Sequence, residues 1–160
     1  MPIEQRQHLI LVFGDTRTDQ RTVKAREILD ELIKQDLWFL PRRSKHLKPG
    51  AELLFYQSGT GVVALATLRG TCDVVNADRA LLQRLGIYYL TTKLILANVR
   101  NFRRPIPLRP LVHDLTFVTN KEYWGHSLRF TPRAISAKDY DRIIQSGRKL
   151  GSQGSLRARS

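Results

Sequence analysis

The sequence predicts an α+β fold: a mixed or antiparallel sheet curled into a small β-barrel, with helices on its outside. Three observations predict it. Residues 47–75 (LKPGAELLFYQSGTGVVALATLRGTCDVV) read as a β-hairpin, two β-branched and aromatic runs joined by Ser58-Gly59-Thr60-Gly61 and opened by the Pro49-Gly50 turn. Residues 87–99 (IYYLTTKLILANV) are a second long β signal. Few helical stretches separate the strands, which argues against a doubly wound parallel sheet.

The remaining elements follow in order. His8 to Phe13 is a short apolar strand ending at Gly14. Thr18 and Asp19 are N-cap types, and Val23, Ile28, Leu29, Leu32 and Ile33 then recur at helical spacing, so residues 18–35 predict an amphipathic helix. Leu37 to Leu40, stopped by Pro41, is a strand or extended loop, and a basic connector leads into the hairpin. Residues 76–85 predict a short helix between Asn76 and Gly86. Residues 100–110 are basic and proline-rich and predict a loop, followed by a helical turn at 111–115 and a strand at 115–118. Ser136, with Asp139 three residues on, opens the last helix, which ends at Gly147. The reading is one domain over residues 1–147 and a basic, disordered tail over 148–160, low in apolar residues and rich in Gly and Ser.

The 160 residues carry a formal net charge of +13, and its distribution is uneven. From residue 100 onward, thirteen Lys/Arg stand against four Asp/Glu. Such a surface favours polyanions, because each phosphate neutralised releases a counterion. Nucleic acid is the expected polyanion, with an anionic membrane surface second. The single cysteine, Cys72, reads as buried filler, excludes an internal disulfide and fits a reducing cytoplasm. No apolar run reaches the length that crosses a bilayer, and the N-terminal run is too short for a signal peptide. The expectation is a cytoplasmic protein with no membrane partner.

Several chemistries lack their motifs. There is no GxGxxG, P-loop, HExxH or GxSxG pattern, and the four histidines are widely separated. No cofactor, metal or assembled nucleophile and base is expected. What the sequence does offer is aromatic rings beside polar groups. Trp38 precedes Pro41 and two arginines, and Trp124 lies near Asn120. A tryptophan in such a place stacks on a flat base or simply packs. For Trp38 both readings stand; Trp124 alone reads better as packing. Tyr56 and Ser58 share one side of a strand by alternation, and serve either as pocket wall or as core and turn.

The ordered set of segments resembles the EVE domain, a member of the PUA-like group that includes YTH and ASCH domains. The carrying pieces are Trp38 after the first helix, LKPGAELLFYQSG at 47–59, GVVALATLRG at 61–70, IPLRPLV at 106–112, LTFVTNKEYWG at 115–125 and ISAKDYDRII at 135–144. The likeness covers residues 7–146. It departs at Ala51-Glu52, where the acidic residue comes one place later, at the compact SGTG turn, and at Phe39. The resemblance implies a PUA-like β-barrel with peripheral helices and a pocket for one modified or flipped nucleobase in DNA or RNA. It implies pocket residues Trp38, Tyr56, Ser58, Asn120, Trp124, Asp15 and Thr16, with Trp38 closing the wall formed by Tyr56 and Ser58. Arg42, Arg43, Lys45, Arg103, Arg104, Arg129 and Arg133 are the expected phosphate contacts. Two alternatives remain: an ASCH-like amidohydrolase of modified nucleosides, using a residue such as Lys93 or Glu52, and a partner-binding protein with purely electrostatic contacts.

Overall fold

The structure, a computed structural model, describes residues 6–41, 47–119, 121–122, 124–125 and 132–153. Its centre is the expected hairpin, β5 (Glu52–Gln57) and β6 (Gly61–Asp73). With β1 (His8–Phe13), β4 (Leu37–Leu40), β7 (Thr92–Ile106) and β8 (Arg133–Ile135) these strands form one sheet in the order β4-β7-β6-β5-β1-β8. β1 and β5 run parallel, from His8 opposite Glu52 to Phe13 opposite Gln57; the other neighbours are antiparallel.

The sheet is strongly curled. Three register shifts interrupt the β6–β7 ladder, between Val62 and Ala64, Leu65 and Thr67, and Leu68 and Gly70. Each bulge adds twist to the ribbon. In a flat sheet β4 lies three strand spacings from β5, about 14 Å. Yet the Trp38 ring of β4 meets the Phe55 ring of β5 with centroids 4.7 Å apart, and the Phe13 ring of β1 at 5.2 Å. Only a sheet rolled into a half-barrel brings those rings together.

Alternation then sorts the side chains into two cores. Leu9, Leu11, Leu53, Phe55 and Trp38 fill the concave side, together with Ile28, Leu29 and Leu32 of α1 (Ala25–Lys34) and Leu82 of α2 (Arg79–Arg84). Ile10, Leu54, Tyr56 and Val62 face the other way. The 3₁₀ helix Arg109–Asp114, through Leu111 and Val112, and α3 (Ala137–Gln153), through Ile143, cover that face.

Several expected boundaries move, each for a physical reason. Residues 16–23 form a small hairpin, β2 (Thr16–Arg17) with β3 (Thr22–Val23), and Thr18 Oγ1 accepts the N–H groups of Gln20 and Arg21 in its turn. The first helix therefore starts at Ala25. β7 runs through the expected basic loop to Ile106, because Arg100 and Asn101 pair with Leu65 and Ala64. Beyond Ile95 no described strand pairs with its outer edge, which is where Pro105 and exposed arginines are tolerated. Residues 115–118 are a turn rather than a strand, and α3 continues past Gly147 to Gln153. A Cβ at Gly147 would meet the Ile106 side chain at 2.6 Å, so the glycine serves close helix–strand approach rather than helix termination. Cys72 is exposed, not buried filler.

At the start of β5, Glu52 is ion-paired with Arg6 at 3.1 Å and accepts from Thr67 Oγ1 at 3.4 Å. Tyr140 of α3 lies beside the same carboxylate, and its ring packs against His8 with centroids 4.6 Å apart. Burial, with the Glu52 charge behind it, pushes the Tyr140 phenol up from 10.0 to about 12.

These contacts set the stability of the hairpin and of the α3 seam. A Cβ at Gly61 would lie 2.6 Å from the Ile106 carbonyl oxygen, on a backbone at φ +137°, whereas Gly59 at φ +76° has open space. Gly61→Ala is expected to cost about 2–4 kcal/mol in urea unfolding, from overpacking plus backbone strain. Gly59→Ala is expected to cost about 1 kcal/mol, and equal losses would contradict the packing described. Between pH 10 and about 12 the folded chain keeps a Tyr140 proton that the unfolded chain has released. Tyr140 thus contributes stability below pH 10 that is lost as the pH rises towards 12. Tyr140→Phe should flatten this part of the urea-midpoint profile; parallel profiles for the two chains would refute the assignment.

Candidate nucleic-acid interface

β1 and β5 run parallel and end side by side, so two chain exits share one rim. The Ser58 N–H donates to the Phe13 carbonyl at 2.9 Å, extending the ladder by one bond. Gly14 then abuts Ser58: a Cβ at 14 would touch Ser58 Oγ at 3.6 Å. The tight turn is closed by Thr60 N–H to the Gln57 carbonyl at 2.9 Å, and Ser58, Gly59 and Thr60 are exposed. The rim therefore presents a hydroxyl, backbone and little bulk.

Aromatic rings back this rim on both faces of the sheet. On the concave side Phe13, half-buried, sets its edge against Trp38, which is 5% exposed. On the other side Tyr56 meets half-buried Trp124 edge to face, with centroids 6.5 Å apart. Burial raises the Tyr56 phenol above its usual range. Trp38 and Tyr56 were expected to wall one pocket. The structure sets them on opposite faces, because Phe55, not Tyr56, points at Trp38. Phe13 is the ring that the sequence reading missed: it ends an ordinary apolar strand, and only the curl places it beside Trp38.

Asp15 and Thr16 lie at the rim but have structural partners. Asp15 Oδ1 accepts the Ala25 N–H at 2.8 Å, capping α1 from ten residues away, and its other oxygen faces Lys24 Nζ at 3.6 Å. Thr16 Oγ1 donates to the Leu85 carbonyl at 2.5 Å.

The approach to Trp124 is held by three charged side chains. Lys121 Nζ donates to the carbonyls of Val112 and Leu115 at 3.0 and 2.8 Å. The buried Asp139 carboxylate accepts from Thr116 N–H, Thr116 Oγ1 and Phe117 N–H, while the Ser136 hydroxyl accepts the Asp139 N–H as the expected cap. Arg133 donates inward to the Phe117 carbonyl at 3.2 Å, so its guanidinium helps to fix the turn, a role other than the expected phosphate contact. Charge-assisted bonds of this kind are the stronger ones.

Of the other expected phosphate contacts, Arg103 and Arg104 are exposed on the edge half of β7, alongside Arg100. Arg148 and Lys149 are exposed on α3 just after Gly147, which rests against Ile106 and Phe102 of the same strand. Arg42, Arg43, Lys45, Arg129 and Asn120 lie outside the described residues. Lys93 and Glu52 do not converge on the rim: Lys93 pairs with Asp78 at 3.1 Å near the far end of the β6–β7 ladder, and Glu52 pairs with Arg6 at the start of β5. Among the described residues no group of His, Cys, Asp or Glu has metal-binding geometry, and no helix is long and apolar enough to cross a membrane.

No family model matches the chain. A UPF0310 protein of Pyrococcus abyssi is 29% identical over 133 residues, spanning 71% of this chain and 87% of that protein. A UPF0310 protein of Bacillus licheniformis is 36% identical over 47 residues, covering 29% of this chain and 32% of that one. Among solved structures, an ASCH protein from Zymomonas mobilis superposes with a TM-score of 0.51 at 12% identity, over 88% of this chain and 96% of that one. A serine-to-alanine mutant of the same protein gives 0.54 at 14% identity, over 89% and 98%. A protein of Agrobacterium tumefaciens gives 0.50 at 12%, over 88% and 92%. The chain thus has an α+β fold of the ASCH and PUA-like kind, a curled half-barrel sheet with helices packed on it.

Proposed function

We propose that this protein is a cytoplasmic nucleic-acid-binding module of the EVE type, a binder rather than an enzyme, which holds a modified or flipped nucleobase of DNA or RNA at the rim where β1 and β5 end. The observation that carries the reading is the pairing of that rim with charge. An open, small-residue edge lies between two aromatic pairs, on a chain of net charge +13. A flipped base needs a ring to stack on, polar groups to read its edge, and cations for the flanking phosphates. Phe13, backed by Trp38, and Trp124, backed by Tyr56, supply rings; Ser58 supplies a hydroxyl; Arg103 and Arg104 supply charge. The exposed Gly59 and Thr60 leave room for a ligand to approach the backbone.

The test is fluorescence anisotropy with modified and unmodified oligonucleotides at two salt concentrations. Affinity is expected to fall steeply with salt, and Arg103→Ala/Arg104→Ala to reduce the slope by about 1–2. Ser58→Trp, at an exposed position, should abolish preference for the modified base and leave the slope intact. If no oligonucleotide binds, the reading fails. If Ser58→Trp and Phe13→Ala both leave base preference unchanged, the rim is not the base site and only electrostatic binding remains.

A further inference from the structure

Three large apolar residues stand exposed among the described residues: Val75 at 53%, Tyr88 at 62% and Tyr89 at 59%. They flank one hydrogen bond, from Val74 N–H to the Thr91 carbonyl at 2.9 Å, and so occupy one corner of the molecule. The two tyrosines are the middle residues of a turn that Leu90 N–H closes onto the Ile87 carbonyl at 3.1 Å. That turn is anchored at both ends. Ile87 and Leu90 are buried, Ile87 N–H bonds the Leu82 carbonyl, and Thr91 bonds the Leu40 and Pro41 carbonyls through its N–H and hydroxyl. The anchors hold the rings outward, 6.0 Å apart and almost perpendicular at 88°. Nothing in the core uses them.

The corner is linked to the proposed base site through Thr16. Thr16, two residues past Gly14, bonds Leu85, and Gly86 lies against Thr16 and the Arg17 carbonyl. Two residues span at most about 7 Å of chain, so Tyr88 lies within roughly 20 Å of the rim, a few nucleotides along a strand. Its surroundings favour bases over phosphates. Asp73, exposed and opposite Thr92 on the adjoining ladder, repels a phosphate, whereas exposed Arg17, whose carbonyl lies against Gly86, favours a polyanion on the path from the rim.

We infer that Tyr88 and Tyr89 form a stacking platform for unpaired bases a few nucleotides from the base held at the rim, which makes the ligand single-stranded or locally melted nucleic acid. This rests on the proposed function. Tyrosine rings accept any base, because every base has a π-face, and only an unpaired strand offers that face.

The test compares a fluorescein-labelled single-stranded oligothymidylate with a duplex of the same length on the full chain. Tyr88→Ala/Tyr89→Ala should weaken single-strand binding by about ten-fold or more, with the salt slope unchanged and duplex binding altered by less than about two-fold. Tyr88→Phe/Tyr89→Phe should retain wild-type affinity. Both positions are exposed, so circular dichroism should show the same fold in each variant. Wild-type binding with an unaffected alanine variant overturns the platform alone and leaves the corner to a protein partner. Failure of the wild-type chain to bind either probe overturns the nucleic-acid reading as well.

Discussion

The contact between Trp38 and Phe55 depends on the curl, and most of the architecture depends on the curl with it. Two strands that are three places apart in the sheet order touch through their rings, which requires the β6–β7 ribbon to roll. Its three register shifts provide the bend, and Asn98, in the left-handed region at φ 53°, lies in the same ribbon. Rolling creates a concave core closed by α1 and α2 and a convex core closed by α3. It also puts Phe13, the last residue of β1, beside Trp38 at the rim.

The rim and its surroundings illustrate a division of labour. The rim itself is short of bulk, and the residues that shape it stand behind it. Asp15 caps α1, Thr16 ties the β1 exit to the end of α2, and Asp139 with Lys121 and Arg133 steadies the turn that leads to Trp124. Fixed backbone around an exposed hydroxyl is what a site needs if it is to read one base rather than attract any anion. The arginines of β7 lie on a strand edge, where charge also prevents association with another edge.

Local features were the legible ones. The hairpin could be read because its turn residues and its alternation are written within one short stretch. So could the apolar face of α1, and Ser136 as the cap of α3. The misreadings came from pairing across long separations. Residues 100–106 look like a loop by charge and proline, yet β6 supplies partners from some forty residues away. Asp139 reads as a capping carboxylate, and its partners Thr116 and Phe117 lie more than twenty residues upstream. Alternation can be read along a single strand, but which side Trp38 takes relative to Tyr56 is a property of the rolled sheet. No spacing in the sequence carries that information. The resemblance to the EVE domain supplied the PUA-like architecture, which agrees with the ASCH structures, and it supplied a pocket list that the fold divides between two faces.

The central claim is that a base sits where β1 and β5 end. Its most direct measurement is a map of backbone amide shifts on titrating the labelled protein with the oligonucleotide that binds best. The account predicts the largest changes at Gly14 and across Ser58, Gly59, Thr60 and Gly61, with smaller ones along the β7 arginines. Changes confined to those arginines, with the rim amides unmoved, would contradict it.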